Sequence, residues 1–185
     1  MRRSLDNATI RTSRLELRPE SPDDAEDIFE VFASDERVTK YMDWRPAKHL
    51  DRASAQERYL DLVNDMAQGK RVAWVIRKLS EKRLCGKIEL RIDGADGDVG
   101  YVLAVSHWGQ GIAPEALGGV LAFAQQLGLR RITGTCDVEN RASIRVFEKC
   151  GFYYVGRRKA DLVRPALSAE PRDSKCYEVV LPGSE

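Results

Sequence analysis

A chain of 185 residues suits one domain with one core, and 43% hydrophobic with 32% charged residues supplies both that core and a solvated surface. Thirty basic residues against 29 acidic leave a net charge of +1, which argues against a nucleic-acid partner, because such binders carry a clear basic excess or stripe. Four cysteines (Cys85, Cys136, Cys150, Cys176) stand far apart without a Cys-x-x-Cys, and neither His49 nor His107 has a second ligand type at metal spacing, so no metal site is expected.

The amino terminus lacks the apolar stretch of a signal peptide, and no apolar run approaches the ~18–20 residues of a membrane span. The expectation is a cytoplasmic chain with reduced thiols and no membrane partner. Residues 14–18 (Arg-Leu-Glu-Leu-Arg) alternate apolar and polar before Pro19, a short strand. Ser21-Pro22-Asp23-Asp24 then starts a helix, with proline at its first position and Ile28, Phe29, Val31 and Phe32 as its buried stripe. Asp35 opens a second short helix, which Trp44-Arg45-Pro46 interrupts. A third fits residues 51–67, where Ala55, Tyr59, Leu62, Val63 and Met66 recur at helical spacing.

The period then changes. Residues 72–78, 84–92 and 98–105 predict three strands joined by short turns, as in an antiparallel meander. Residues 113–127 carry Leu117, Val120, Leu121, Ala124 and Leu127 on one helical face. A strand at 131–137, a helix at 141–149 and strands at 152–159 and 175–181 complete the order, with Pro165–Asp173 as a long mobile loop. There is no repeat and no linker, so residues 1–185 form a single mixed α/β domain with its core at about 13–182. It is not doubly wound.

One segment carries chemistry. Strand residues Val99-Gly-Tyr-Val-Leu103 lead into Trp108-Gly-Gln-Gly-Ile-Ala-Pro-Glu115, and a helix follows at once. Two glycines at alternate positions let successive N–H groups point into one concavity, and the helix start adds its own free N–H groups and positive dipole end. Together these make a phosphate or pyrophosphate site. A P-loop fails, because no lysine follows Gly111, and a dinucleotide fingerprint fails, because Ile-Ala-Pro replaces the third glycine. The segment resembles the acetyl-CoA loop of the GNAT superfamily, and most of all its RimJ/RimL-type pattern Gly-Tyr-x-Leu … Trp-Gly-x-Gly-x-Ala-x-Glu-Ala-Leu. Asn140-Arg-Ala-Ser143 … Glu148-Lys-Cys-Gly151-Phe152 resembles the family's second motif, in family order.

The resemblance implies a mixed sheet of about seven strands, mostly antiparallel, whose central parallel pair splays to admit cofactor and acceptor from opposite sides. It implies that Tyr101, Val102 and Leu103 line the pantetheine arm of acetyl-CoA through backbone groups. Gly109, Gln110, Gly111, Ile112 and Ala113 would hold the phosphates, with Trp108 where other branches place Gln or Arg. Asn140 would cap a helix and bond pantetheine. Phe147 occupies the place of the family's proton-donating tyrosine, and it cannot donate, so Ser143 is the candidate acid. No family base is present: Thr135 stands at its position, and Glu89, Asp98 or a water chain could serve. Trp44, Arg45 and Trp108 are candidates to line the cleft. No covalent nucleophile and no metal are implied.

The expected function is transfer of an acetyl group to a primary amine, a protein N-terminus or a small molecule, by direct attack in a ternary complex. The alternative is an acyl-CoA-binding module without catalysis. The acceptor end is expected from the amino-terminal helices and the Pro165–Asp173 loop. Pairing into a homodimer is left open.

Overall fold

The structure is a computed structural model and describes residue 5, residues 8–44 and residues 52–183, the side chains of residues 52–55, 57 and 58 excepted. Arg45, Pro46, His49 and the side chain of Ala55 therefore lie outside the described residues.

Two short strands open the fold, β1 (Ile10–Arg11) and β2 (Leu15–Pro19). A 3-10 turn at Pro22–Asp24 leads into α1 (Ala25–Ile28), which widens into a π-helical turn over Phe29–Ala33. The Asp24 carboxylate accepts the Ser21 N–H at 2.8 Å, so the acid expected in the first turn fixes the helix start. Asp35 caps α2 (Glu36–Thr39), its carboxylate accepting the Arg37 N–H at 2.9 Å. After α3 (Arg52–Ala67) come β3 (Arg71–Lys78), β4 (Leu84–Asp93) and β5 (Asp96–Leu103). Then α4 (Ile112–Gln126), β6 (Arg131–Asp137), α5 (Arg141–Lys149), β7 (Tyr153–Val163) and β8 (Pro171–Val180) follow.

The strands form one eight-stranded sheet in the order β1-β2-β3-β4-β5-β6-β8-β7. Every neighbouring pair is antiparallel except β5 and β6, which are parallel. The strand beyond the expected seven is β1, whose two residues are too few to display an alternating pattern. The expected loop over Pro165–Asp173 shrinks to residues 164–170, because the last hairpin reaches further: Val163 pairs with Pro171 and Leu162 with Arg172. Pro171 can begin a strand, where its missing N–H breaks no ladder. Asp173 is tied down by Arg157 Nε at 2.6 Å and the Ala160 N–H at 2.8 Å.

The sheet is buried on both faces at its centre. Along β3, Val72, Trp74 and Ile76 face α4 and its stripe of Leu117, Val120 and Ala124, while Val75 faces Ile28, Phe32 and Val38 on the opposite side. That two-sided burial explains why β3 has an almost unbroken apolar run. The parallel pair matters most for function. Pairing of β5 with β6 runs from Asp96–Arg131 to Val99–Gly134 and stops there. Beyond it β5 stays on β4 as far as Leu103, and β6 stays on β8 as far as Asp137. The two strands part like a wedge.

Candidate active site

Two chambers open from the wedge. The loop chamber, about 640 Å3, lies against the start of α4 and the side of α5. The helix chamber, about 660 Å3, lies under α1, the π-helical turn and the residues that follow α2. Six residues line both: Tyr41, Met42, Tyr101, Val102, Asn140 and Ser143. A ligand that entered from each side would meet its counterpart there.

The backbone of β5 supplies donors at that meeting point. Ala104 N–H reaches across to Cys85 O on β4 at 2.9 Å, while Ala95 O faces the other way and accepts from Arg130 N–H at 2.7 Å. Strand alternation therefore turns the N–H groups of Tyr101 and Leu103 toward the side that β6 has vacated. A wedge without a strand partner leaves polar backbone aimed into a ligand cleft.

The loop between β5 and α4 is shaped by its two glycines. Gly109 has φ 72° and Gly111 has φ 74°, a left-handed conformation that side-chain-bearing residues avoid, and Gly111 is the N-cap of α4. Trp108 is half-exposed and lines the loop chamber; its indole N–H donates to Leu103 O at 2.9 Å. The loop is also held from outside. Arg14 Nη1 donates to Gln110 O at 3.1 Å, and Arg14 Nε donates to Glu115 at 2.6 Å. Glu115 further accepts from the Arg14 N–H at 2.9 Å and from Thr12 and Ser13 hydroxyls. Burial pushes the Glu115 carboxyl up, but those hydrogen bonds outweigh it and hold the group below its usual value. Glu115 stands in the motif that carries the family resemblance, which gives it no role, and nothing in the local sequence marks Arg14 as its partner. Arg37, Lys40, Arg145 and Lys149 complete a basic lining.

Asn140 caps α5, its Oδ1 accepting the Ser143 N–H at 3.2 Å. The helix ends in a Schellman motif: Gly151 has φ 81°, Phe152 N–H bonds Phe147 O at 3.0 Å, and Gly151 N–H bonds Glu148 O at 3.1 Å. Ser143 and Phe147, one turn apart, face Tyr101. The Phe147 ring is only 2% exposed and lies over Gly134 of β6, where an added Cβ would come within 2.5 Å of it. Tyr177 stacks on the ring at 5.4 Å, and Tyr101 meets it edge-on at 6.2 Å.

The helix chamber is aromatic and charged. Phe32, Tyr41 and Trp44 line it together with Glu20, Lys87, Glu89, Arg91, Asp137 and Arg164. These charges are compensated in place: Lys87 pairs with Glu20, and Arg91 Nη1 donates to Glu89 at 3.1 Å. Asp137 is buried between Arg164 at 3.4 Å and Arg172 at 2.8 Å. Its burial raises the carboxyl pKa, and Arg172 with the Glu139 N–H overcomes that and lowers it. From the carboxy-terminal hairpin the chamber receives Leu162 and Arg164; no residue of the Pro165–Asp173 segment expected to close it lines it.

Among the sequence-derived candidates, Tyr101, Val102, Leu103, Trp108, Gly109, Gly111, Ile112, Ala113, Asn140 and Ser143 all line the loop chamber. Gln110 does not; its side chain turns back to Ser106 O at 2.7 Å and its carbonyl to Arg14. Phe147 and Glu89 line the helix chamber. Asp98 lies on the same sheet face but is outside the chamber lining, bonded to Arg91 Nη2 at 2.7 Å. Cys136 also lines this chamber, and burial pushes its thiol up to about 11, so it stays protonated and is a poor nucleophile. The described residues contain no cluster of three metal-ligating side chains, and no described helix is long and apolar enough to cross a membrane.

Known proteins share this fold. YoaA of Bacillus subtilis, an uncharacterized N-acetyltransferase, is 30% identical over 177 residues, covering 94% of this chain and 97% of its own. RimL, the ribosomal L7/L12 α-N-protein acetyltransferase solved with coenzyme A, superimposes with a TM-score of 0.82 at 20% identity, covering 94% of this chain and 98% of that one. RimJ of Mycobacterium smegmatis, solved with CoA-disulfide, gives 0.77 at 24% identity, covering 95% and 88%. Residues 14–153 match the acetyltransferase (GNAT) domain, so the chain belongs to the GNAT family, acetyltransferases that take their acyl group from acetyl-CoA.

Proposed function

We propose that this protein moves an acetyl group from acetyl-CoA to a primary amine, either a protein N-terminus or a small amine, by direct attack. The observation that carries the reading is the pair of chambers meeting at the parted strands, one basic and loop-lined, the other aromatic and charged. RimL, which shares the fold, is named for a protein α-amine.

The residues fit the donor. Gly109, Gly111 and the first N–H groups of α4 would hold its pyrophosphate, and Arg37, Lys40, Arg145 and Lys149 would neutralise its phosphates. Acetyl-CoA supplies a thioester, an acyl group ready for transfer to nitrogen. Asn140 spends Oδ1 on its cap and keeps Nδ2 to donate to the pantetheine arm. The N–H groups of Tyr101 and Leu103 would stabilise negative charge on the acyl oxygen. Ser143 delivers a proton to the departing sulfur, and Glu89, directly or through water, takes the proton the amine loses. Holding both partners at one junction makes the step effectively unimolecular.

A second reading, a coenzyme A-binding module without turnover, draws on one observation: at the place of the family's acid, Phe147 is buried and carries no hydroxyl. The deciding experiment measures free coenzyme A release with acetyl-CoA and a panel of small amines and amino-terminal peptides. Release that requires one amine class establishes the enzyme; tight acetyl-CoA binding without release for any amine establishes the module.

A further inference from the structure

The junction holds a polar group that the roles above leave unused. Tyr101 Oη is buried and makes no well-formed hydrogen bond among the described residues, although the Ser143 side chain lies close enough to act on it. A buried hydroxyl without a partner is destabilising, and native folds rarely keep one without use. The side chain comes from β5 on the α5 side of the sheet, opposite Ile88 of β4, and the Phe147 ring fixes it edge-on at 6.2 Å. Its hydroxyl stands beside Ser143, and both residues line both chambers. Burial raises the phenol pKa by more than the Ser143 contact lowers it, so the group stays protonated and can donate. Ser143 is held in the first turn of α5 by the Asn140 cap, so the two hydroxyls sit on rigid elements.

We propose that Tyr101 is a positioning residue that orients Ser143 and resupplies its proton, so that a two-hydroxyl relay replaces the single tyrosine that Phe147 cannot be. The inference rests on the acetyl-transfer reading. In the relay, Ser143 Oγ–H gives its proton to the sulfur that departs with the C–S electron pair. Tyr101 Oη–H gives its proton to Ser143 Oγ. The proton that the amine sheds to Glu89 as its nitrogen bonds the acyl carbon passes on through water in the helix chamber to Tyr101 Oη. Protons and electrons balance, and no outside reagent is needed.

The test uses Tyr101→Phe, Ser143→Ala and the double variant. With the amine that the parent accepts, Tyr101→Phe should lower kcat about 10- to 100-fold and Ser143→Ala about 100-fold. Acetyl-CoA affinity by calorimetry should stay within about twofold in each. Because the residues act in series, the double variant should be no worse than Ser143→Ala by more than about twofold. A ligand-free readout accompanies the kinetics: in protein labelled at tyrosine 13Cζ, one of the six tyrosine signals should vanish in Tyr101→Phe and shift in Ser143→Ala. Should Tyr101→Phe fail to fold, Tyr101→Met supplies a second apolar replacement without the hydroxyl. The relay is wrong if Tyr101→Phe turns over within about twofold of the parent, if the two losses multiply, or if the Tyr101 signal ignores Ser143→Ala. A parent that releases no coenzyme A with any amine overturns the acetyl-transfer reading itself, a separate result.

Discussion

The two chambers are built by different means. The loop chamber owes its character to backbone: two left-handed glycines, a helix start and two strand N–H groups that lost their neighbour. The helix chamber owes its character to side chains drawn from distant parts of the chain, Glu20 with Lys87 and Asp137 with Arg164 and Arg172. Backbone devices need particular residues at fixed local spacing, so they leave a readable motif. Side-chain pairs across a sheet need only complementary charge, which many sequences satisfy. One half of the site is therefore suited to a constant ligand and the other to a variable one.

Gly111→Val attacks the backbone half and should have the largest effect. A β-branched residue at φ 74° is strained, and its side chain would enter the contact zone of Arg14, whose Nη2 already lies 3.5 Å from an ideal Cβ. Acetyl-CoA affinity by calorimetry should fall about 100-fold, roughly 2.8 kcal/mol. Circular dichroism should still report a folded chain. Unchanged affinity in a folded variant would remove the loop from the site.

Glu115→Gln comes next and tests whether the loop is held from outside. Glu115 accepts from Thr12, Ser13 and Arg14, and weakening a charge-assisted cluster of this kind costs about 2 kcal/mol. Melting should drop by about 5 °C in a chain of this size. Because the folded-state pKa of Glu115 is lowered from 4.5, its contribution is present above that value and is lost as pH falls through the folded pKa. The melting gap between parent and variant should thus be full near neutral pH and close in acid below about 4.5. A gap that widened in acid would show that the carboxylate is not the stabilised form.

The same contrast explains what could be read in advance. The α5 helix occupies residues 141–149 as its periodicity predicts, since Asn140, Gly151 and the apolar stripe are all local signals. The α4 helix is likewise one residue from its expected start. The parallel pair and its parting followed only from family resemblance, because nothing in β5 or β6 alone marks where pairing stops. The reach of the last hairpin is not legible in the sequence, because Pro171 reads as a loop residue until its partner Val163 is known. The Asp137–Arg172 contact spans 35 positions, and no spacing rule connects such a pair. The resemblance gives Tyr101 a backbone role, whereas the burial of its hydroxyl beside Ser143 is visible only in three dimensions.

Smaller effects separate the two carboxylates of the side-chain half. Glu89 lines the helix chamber with its side chain 18% exposed, whereas Asp98 lies outside the lining and is 34% exposed. Both touch Arg91, so a purely electrostatic role would make their neutral variants alike. If Glu89 receives the amine's proton, Glu89→Gln should lower kcat about 10-fold, roughly 1.4 kcal/mol of transition-state stabilisation, with acetyl-CoA affinity unchanged. Asp98→Asn should cost less than about threefold, because Arg91 is half-exposed, retains Glu89, and exposed ion pairs are worth little. Steady-state kinetics at saturating acetyl-CoA decides the matter. Equal losses in the two variants would assign both carboxylates to holding Arg91 and leave the amine's proton to solvent. A larger loss in Asp98→Asn would mean that the acceptor reaches past Arg91, and the helix chamber would extend further along β5 than its lining indicates.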